Sequence, residues 1–226
     1  MDSTAMYGGG FMSLKAFVLL AVSLLVAGCI QSGGLSELPS SEVRDYRGEK
    51  LSSVNDFREN SIKGPQYINV SGYRLEIGGL VERPLSLTYD EVVGRRRYSK
   101  VVQLDCVEGW SVKLLWEGVL VRDLLAEAKP KPQADTLILY AYDGYSTSFP
   151  LSYVTDNDII LAYGMNNVTL APERGFPFQL VAEDKWGYKW IKWVTRMELS
   201  DDSSFSGYWE SRGYSQGGDR DKAMFS

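Results

Sequence analysis

Residues 101–111 read V-V-Q-L-D-C-V-E-G-W-S, and they contain the more informative of the chain's two cysteines. Residues 101–104 form a short run that favours a β-strand, and Gly109 then interrupts the pattern. Cys106 is therefore expected at the end of a strand or on the loop that follows, where a rigid scaffold commonly holds functional residues. The other cysteine, Cys29, lies near the N-terminus, and we predict a different role for it.

The charges next to Cys106 argue against a self-activated nucleophile. Asp105 and Glu108 flank the thiol, and their negative charge should raise its pKa. A bound metal would reverse this preference because a coordinating thiol is deprotonated. The chain of 226 residues has no histidine, which excludes Cys–His catalysis and histidine-based metal sites. Cys106 is thus either a buried, inert cysteine or a ligand to a metal whose other ligands come mostly from a cofactor.

Short segments on both sides of C-V-E-G-W-S form an ordered series. They are residues 73–75 (Y-R-L), 79–85 (G-L-V-E-R-P-L), 116–119 (W-E-G-V), 143–145 (D-G-Y), 161–163 (L-A-Y), 174–177 (R-G-F-P), 187–189 (G-Y-K), 192–194 (K-W-V) and 207–210 (G-Y-W-E). The series covers about residues 67–214 and resembles the molybdopterin-binding domain of the sulfite oxidase family. The bacterial periplasmic methionine-sulfoxide reductase catalytic subunit is part of the same group.

The resemblance implies an enzyme, a molybdenum-dependent oxidoreductase. Cys106 would be the catalytic residue and would bind the molybdenum together with the dithiolene of a molybdopterin cofactor. The reaction would be a two-electron oxygen-atom transfer to or from a small molecule. A separate protein would have to exchange the electrons, because no haem-binding domain is recognisable in the sequence.

The same resemblance indicates which residues would contact the cofactor. A pyranopterin carries a phosphate, so its site needs cations and backbone N–H donors. The predicted cofactor-binding residues, besides Cys106, are Asn60, Ser61, Arg174, Gly187, Tyr188, Lys189 and Lys192. Trp116, Trp190 and Trp193 are expected in the core instead.

Two alternatives to a molybdenum enzyme remain open. In the first, the chain is a cofactor-free binding module that keeps the fold. Gln179 favours that hypothesis, because relatives often have an arginine at this position, whereas the retained Cys106 opposes it. In the second, Cys106 acts in thiol redox chemistry, but the chain offers no obvious resolving cysteine.

The N-terminus has the pattern of an export signal. Lys15 precedes an apolar run over residues 16–27, and L-V-A-G-C follows at residues 25–29. The run is 12 residues long, shorter than the roughly 20 that a membrane-spanning helix needs. We predict a lipoprotein-type signal peptide over residues 1–28 and a lipid on Cys29. The protein would then be exported and anchored by this lipid to the outer face of the cytoplasmic membrane or on the periplasmic side.

Composition and periodicity predict the layout of the mature chain. Residues 29–50, rich in Gly, Ser and Pro at their start, are expected to be a flexible tether, residues 51–216 the folded domain and residues 217–226 a polar tail. Strands are expected over residues 73–81, 135–143, 176–182 and 191–199, and a helix over residues 119–128. Thr88 and Glu91 have the spacing of a capping box. The fold class is a mixed, strand-rich α+β single domain.

The charge of the chain gives no support to nucleic-acid binding. The net charge is −5, whereas nucleic-acid-binding proteins leave a basic footprint. Arg95-Arg96-Arg97 and Lys100 form a short basic cluster, which we interpret as a solvated turn; steering of an anionic substrate towards Cys106 is the alternative. Neither a G-x-G-x-x-G motif nor a P-loop occurs, so nothing indicates a nucleotide site of those types.

Overall fold

Two five-stranded sheets organise residues 41–225, the part of the chain that the computed structural model describes. The first sheet is antiparallel and consists of β5 (Tyr98–Asp105), β6 (Ser111–Leu120), β9 (Ile160–Met165), β10 (Val168–Thr169) and β11 (Gln179–Val181). Its order is β10-β9-β6-β5, with β11 also paired to β9. The predicted signal peptide and Cys29 lie outside the described residues.

The second sheet is mixed. It consists of β3 (Leu75–Gly79), β4 (Leu85–Leu87), β7 (Thr136–Ala141), β8 (Ser146–Pro150) and β12 (Val194–Ser200). The order is β4-β3-β12-β7-β8, and β3 and β12 are parallel while the other pairs are antiparallel. Strands dominate and helices are short, so the predicted α+β class is confirmed.

The helices are α1 (Tyr89–Val93), α2 (Val121–Ala128) and α3 (Leu151–Asp156), with 3-10 turns at Pro172–Arg174, Gly187–Lys189 and Glu210–Arg212. The predicted capping box is present at α1, where Thr88 and Glu91 hydrogen-bond to each other's backbone N–H groups. Helix α2 begins two residues later than predicted because Val119 and Leu120 pair with β9. Among the described residues, no helix has the length and apolar character needed to cross a bilayer.

The alternation of β5 explains where Cys106 lies. Side chains two apart on a strand share a face, so Val102, Leu104 and Cys106 point to the same side. All three are buried in the core. The predicted position of Cys106, directly after the end of a strand, is confirmed.

The tryptophans expected in the core are buried there. Trp116 and Trp193 are among the largest fully buried side chains, and Trp190 is 4% exposed. Trp116 and Trp190 pack against each other with ring centroids 5.5 Å apart. Trp190 and Trp193 also line a cavity that is described below.

The structure corrects the predicted tether at its C-terminal end. Residues 45–50 form a small hairpin of β1 (Asp45–Tyr46) and β2 (Glu49–Lys50). Just before it, the Glu42 carboxylate accepts hydrogen bonds from Val54 N at 2.7 Å, Ser53 Oγ at 2.9 Å and Asn166 Nδ2 at 3.0 Å. These contacts fix residues 42–50 to the domain, so the ordered part begins before residue 51.

The predicted polar tail also differs from the structure. Residues 214–225, which we call the C-terminal strap, are bonded to the domain rather than free. Asp219 forms a β-bridge with Lys185, and the backbone N–H of Arg220 donates to Asp184 O at 2.9 Å. Residues 214–225 show no periodic pattern, because isolated bridges and ion pairs hold the strap and not a regular strand or helix.

A glycine lets β6 and β9 approach closely, which gives a testable expectation. A Cβ atom at Gly118 would lie 2.1 Å from Leu161 O and 2.7 Å from Ala162 Cα. We expect Gly118→Ala to lower the free energy of unfolding by about 1–3 kcal/mol, as overpacking does. The control is Gly78→Ala, because a Cβ there meets nothing within 4 Å. Urea unfolding of both variants checks this, and equal effects would contradict it.

Candidate functional site

A cavity of about 480 Å³ lies beside Cys106 at the end of β5. Its wall comes from chain segments within residues 57–62, 104–110, 143–145, 173–179, 187–193 and 209–214. The volume is within the range of about 300–1,000 Å³ that is usual for small-molecule and cofactor sites. Both sheets and the loops that follow their strands therefore contribute to one site.

Cys106 is held on the cavity wall by a tight turn. Its N–H donates to Trp110 O at 2.9 Å, and its carbonyl accepts from Gly109 N at 3.0 Å. Gly109 has a φ of 84°, a conformation that favours glycine. The Asn60 amide donates to Cys106 Sγ at 3.5 Å, which brings the thiol together with a predicted cofactor-binding residue.

Burial is the main reason that the pKa of Cys106 is raised. The charge of Glu108 raises it further, while hydrogen bonds from backbone groups and Asn60 act in the opposite direction. Asp105 is not among the main causes of the shift, and its carboxylate forms an ion pair with Arg220 at 2.7 Å. The chain by itself thus keeps Cys106 as a thiol at neutral pH, and a bound cation is needed to favour the thiolate.

Arg174 lies on the cavity wall, but its guanidinium is committed to the protein. It donates to Val54 O at 2.9 Å, Phe57 O at 2.7 Å and Arg58 O at 3.4 Å. It also stacks 3.6 Å from the centroid of the Phe57 ring. Arg174 therefore holds the loop that carries Arg58, Asn60 and Ser61 against the cavity.

Lys192 also lies on the wall, with its charge compensated. Lys192 Nζ is 2.6 Å from Glu59 Oε1 and donates to Glu173 O at 3.3 Å. Burial lowers the pKa of Lys192, and the interaction with Glu59 opposes that shift. The ammonium is close enough to assist a ligand, but it is not a free cation.

The position of Lys189 contradicts the predicted contact with a cofactor. Its side chain is fully buried and does not line the cavity. Lys189 Nζ is 2.6 Å from Glu210 Oε1 and donates to Ser148 O at 2.7 Å and Gln216 O at 3.1 Å. The motif G-Y-K places the residue next to the site, but the 3-10 turn directs the lysine into the protein.

Gly187 and Tyr188, the other members of the motif, do line the cavity. A Cβ at Gly187 would lie 3.3 Å from Asp105 O and 3.4 Å from Cys106 Cα, so the glycine allows the turn to approach the cysteine. Tyr188 donates its hydroxyl to Ser215 O at 2.7 Å, and its carbonyl accepts from the Tyr145 hydroxyl. The turn is thus fixed from both sides.

Two polar side chains of the cavity wall, Arg58 and Gln179, were not among the predicted cofactor-binding residues. Arg58 lies in the irregular segment before Asn60, and its side chain makes no hydrogen bond or ion pair within residues 41–225. The amide of Gln179 is likewise without a partner among the described residues, although the side chain is 95% buried. The only signal for Arg58 was its position two residues before Asn60. Gln179 was noticed only as a departure from relatives.

The basic cluster lies away from the cavity. Arg95 forms an ion pair with Glu127 at 2.7 Å, and Arg97 lies 3.9 Å from Glu117. None of Arg95, Arg96 and Arg97 lines the cavity. The geometry supports the interpretation as a solvated charged turn and not the alternative of substrate steering.

The protein does not offer a complete metal site of its own. No group of three or more Cys, Asp, Glu or His side chains within residues 41–225 could hold a metal ion. Cys106 is the free cysteine of this part of the chain. A metal bound beside Cys106 would therefore need ligands that residues 41–225 do not supply.

The fold is a strand-rich α+β domain, and one cysteine lies on the wall of a cavity of cofactor size. These features are those of a cofactor-binding domain. Residues 62–209 match the family of the oxidoreductase molybdopterin binding domain. The match spans more than half of the chain, and the chain belongs to this family of sulfite oxidase-type oxidoreductases. The resemblance inferred from the ordered motifs is confirmed.

The chain is similar in sequence to several curated oxidoreductases. It is 33% identical over 156 residues to the uncharacterized oxidoreductase YuiH of Bacillus subtilis, covering 69% of this chain and 78% of that protein. It is 24% identical over 230 residues to the protein-methionine-sulfoxide reductase catalytic subunit MsrP of Campylobacter jejuni, covering 89% and 75%. It is 29% identical over 189 residues to the mitochondrial sulfite oxidase of Drosophila melanogaster, covering 70% of this chain but 33% of that protein.

A solved structure supports the fold. The sulfane dehydrogenase SoxCD of Paracoccus pantotrophus matches with a TM-score of 0.59 and 29% identity. The match covers 62% of this chain and 41% of that chain. The chain thus corresponds to a part of the SoxCD chain.

Proposed function

We propose that this protein is a lipid-anchored, extracytoplasmic molybdopterin-dependent oxidoreductase that catalyses two-electron oxygen-atom transfer, with Cys106 as a ligand to molybdenum. The observation that carries the proposal is the Cys106 thiol on the wall of a cavity of about 480 Å³, inside the residues that match the molybdopterin-binding family. The substrate would be a small oxo donor or acceptor, and a separate protein would exchange the electrons.

The donor set fits such a cofactor. Cys106 would supply a soft sulfur ligand, and residues 41–225 hold no group of three or more metal-binding side chains, which suits a metal that brings its own dithiolene ligands. The polar edge of a pterin and its phosphate need donors, and Arg58, Asn60, Ser61 and Gln179 all reach the wall. The bound group would supply the two-electron redox chemistry.

The protein's own residues orient the site and limit access of water. Asn60 donates to the sulfur of Cys106 and restrains its direction. Gly187 permits the 3-10 turn to lie against the cysteine, while Trp110, Trp190 and Trp193 provide apolar surface. Arg174 and Lys192 hold the loop of residues 54–59 in place through their bonds to Val54, Phe57 and Glu59.

Metal analysis tests the proposal. The full chain, purified from a host that makes molybdenum cofactor, should contain close to one molybdenum per chain. A chain that remains free of molybdenum under these conditions would support the binding-module alternative. The compensation of Lys192 by Glu59 and the neutral Gln179 are the observations that favour this alternative, since they weaken the attraction for a phosphate.

The anchor is tested independently of the metal. The sequence L-V-A-G-C at residues 25–29 supports a mature chain that starts at lipidated Cys29. At least two acyl chains would be needed for stable membrane attachment. We expect intact-mass analysis to show a chain that begins at Cys29 and carries added acyl mass. An unmodified chain with another start would contradict this part of the proposal.

A further inference from the structure

We propose that the C-terminal strap, residues 214–225, is a positioning element of the cofactor cavity, and that Arg220 is its principal positioning residue. The inference rests on the proposed function only in taking the cavity beside Cys106 as the site. The family match ends at residue 209, so the strap lies beyond the matched residues.

Arg220 connects the strap to the end of β5. Its Nη1 atom is 2.7 Å from Asp105 Oδ2, and Asp105 directly precedes Cys106 in the chain. The backbone N–H of Arg220 donates to Asp184 O at 2.9 Å. Asp105 also forms a parallel β-bridge with Trp186. Arg220 therefore connects the end of β5, at Asp105, to the segment of residues 184–186 that leads into the Gly187–Lys189 turn.

The strap also packs directly on the Gly187–Lys189 turn. Trp186 N donates to Gly218 O at 2.8 Å, and Lys189 Nζ donates to Gln216 O at 3.1 Å. A Cβ at Gly218 would lie 2.4 Å from Lys189 Cγ, so strap and lysine stem are in close contact. These contacts join the strap to the Gly187–Lys189 turn, which also lies against Cys106 through Gly187.

One residue of the strap reaches the cavity itself. Tyr214 lines the cavity, and its ring meets the ring of Tyr188 edge-on at a centroid distance of 5.0 Å. Arg220 does not line the cavity, so it acts through Asp105 and the turn. Loss of its ion pair should let the end of β5 and the Gly187–Lys189 turn separate more often, which would open the cavity around the thiol.

Alkylation of Cys106 measures this opening without any cofactor. The full chain is produced in a host that cannot make molybdenum cofactor, treated with iodoacetamide at one pH, and analysed by peptide mass spectrometry for Cys106. We expect Arg220→Ala to accelerate alkylation about three- to fivefold, the range expected for a partly exposed ion pair. Loss of the positive charge of Arg220 would by itself disfavour the Cys106 thiolate and slow its alkylation. A faster alkylation in Arg220→Ala therefore indicates that the cavity around the thiol has opened.

Lys222→Ala is the matched control. It removes the same charge from the same strap, and among residues 41–225 the Lys222 side chain pairs only with Asp219, at 2.8 Å. We expect its alkylation rate to equal that of the wild type, and the unfolding midpoints of both variants to stay close to the wild-type value. Arg220→Lys, which keeps the charge, should restore part of the protection. If Arg220→Ala and Lys222→Ala are alkylated at the same rate, the proposal is wrong.

A second variant keeps the test decisive if Arg220→Ala does not fold. Gly218→Ala introduces a clash with Lys189 and a strained φ of 61°, so it should displace the strap and accelerate alkylation as well. A Gly218→Ala rate equal to the wild-type rate would overturn the proposal. Since the chain carries no molybdenum in this experiment, its result is independent of the metal analysis that tests the proposed function.

Discussion

Replacing Cys106 with serine is expected to abolish oxygen-atom transfer while leaving the fold intact. Serine is close in size to cysteine, and the turn around residue 106 is held by backbone bonds to Trp110 and Gly109 that the substitution keeps. The hydroxyl is far less acidic than the thiol, so it is a poor replacement for a thiolate ligand. We expect activity to fall by more than about 100-fold, since changes to residues that merely orient metal ligands already cost 10–100-fold.

The activity of Cys106→Ser is measured with a dye electron donor, alongside molybdenum content and the unfolding midpoint. Ser61→Ala is a suitable comparison because it changes another residue of the cavity wall without touching the proposed ligand. Under the binding-module alternative, Cys106→Ser would leave ligand binding nearly unchanged. Under the thiol-redox alternative, activity would vanish, but the wild-type protein would hold no molybdenum. Full activity in a molybdenum-loaded Cys106→Ser protein would refute the proposed role.

Replacing Lys189 with methionine is expected to destabilise the protein strongly. Lys189 and Glu210 form an ion pair at 2.6 Å, and their side chains are 0% and 1% exposed. Burial lowers the pKa of Lys189, and Glu210 opposes this shift. Glu210 Oε2 has no hydrogen-bond partner within the described part of the chain, so removal of the lysine would leave a buried carboxylate with little compensation. Breaking a buried pair in this way costs about 3–5 kcal/mol.

Lys100→Met provides the comparison. Lys100 pairs with Glu183, but its side chain is 41% exposed, so we expect a loss of only about 0–1 kcal/mol. The double variant Lys189→Met/Glu210→Leu should be more stable than Lys189→Met, because it removes the uncompensated carboxylate. Urea unfolding measures all three. Equal stability of Lys189→Met and Lys100→Met would show that the buried pair does not have the expected importance.

Local patterns in the sequence predicted the local structure well. The β-favouring run of residues 101–104 predicted the strand that ends just before Cys106, and the spacing of Thr88 and Glu91 predicted the capping box of α1. The ordered motifs predicted the family, and some of them, at residues 143–145, 174–177 and 187–189, contribute side chains to the cavity wall. Such features depend on neighbours within a few residues, which a sequence shows directly.

Side-chain direction and distant pairing could not be predicted in the same way. The motif G-Y-K predicted a cofactor contact for Lys189, but in the 3-10 turn its side chain pairs with Glu210 and does not line the cavity. The ion pair between Asp105 and Arg220 joins residues 115 positions apart, and no periodic signal marks it. The ordered residues before position 51 were missed for the same reason, because Glu42 is held by Asn166.

X-ray absorption at the molybdenum edge tests the central claim most directly. The full chain and its Cys106→Ser variant, both produced with ample molybdenum cofactor, are compared for the sulfur ligands of the metal. We predict molybdenum in the wild-type protein, with one sulfur ligand fewer in Cys106→Ser. Identical sulfur coordination in the two proteins, or a wild-type protein without molybdenum, would contradict the assignment of Cys106 as the protein ligand.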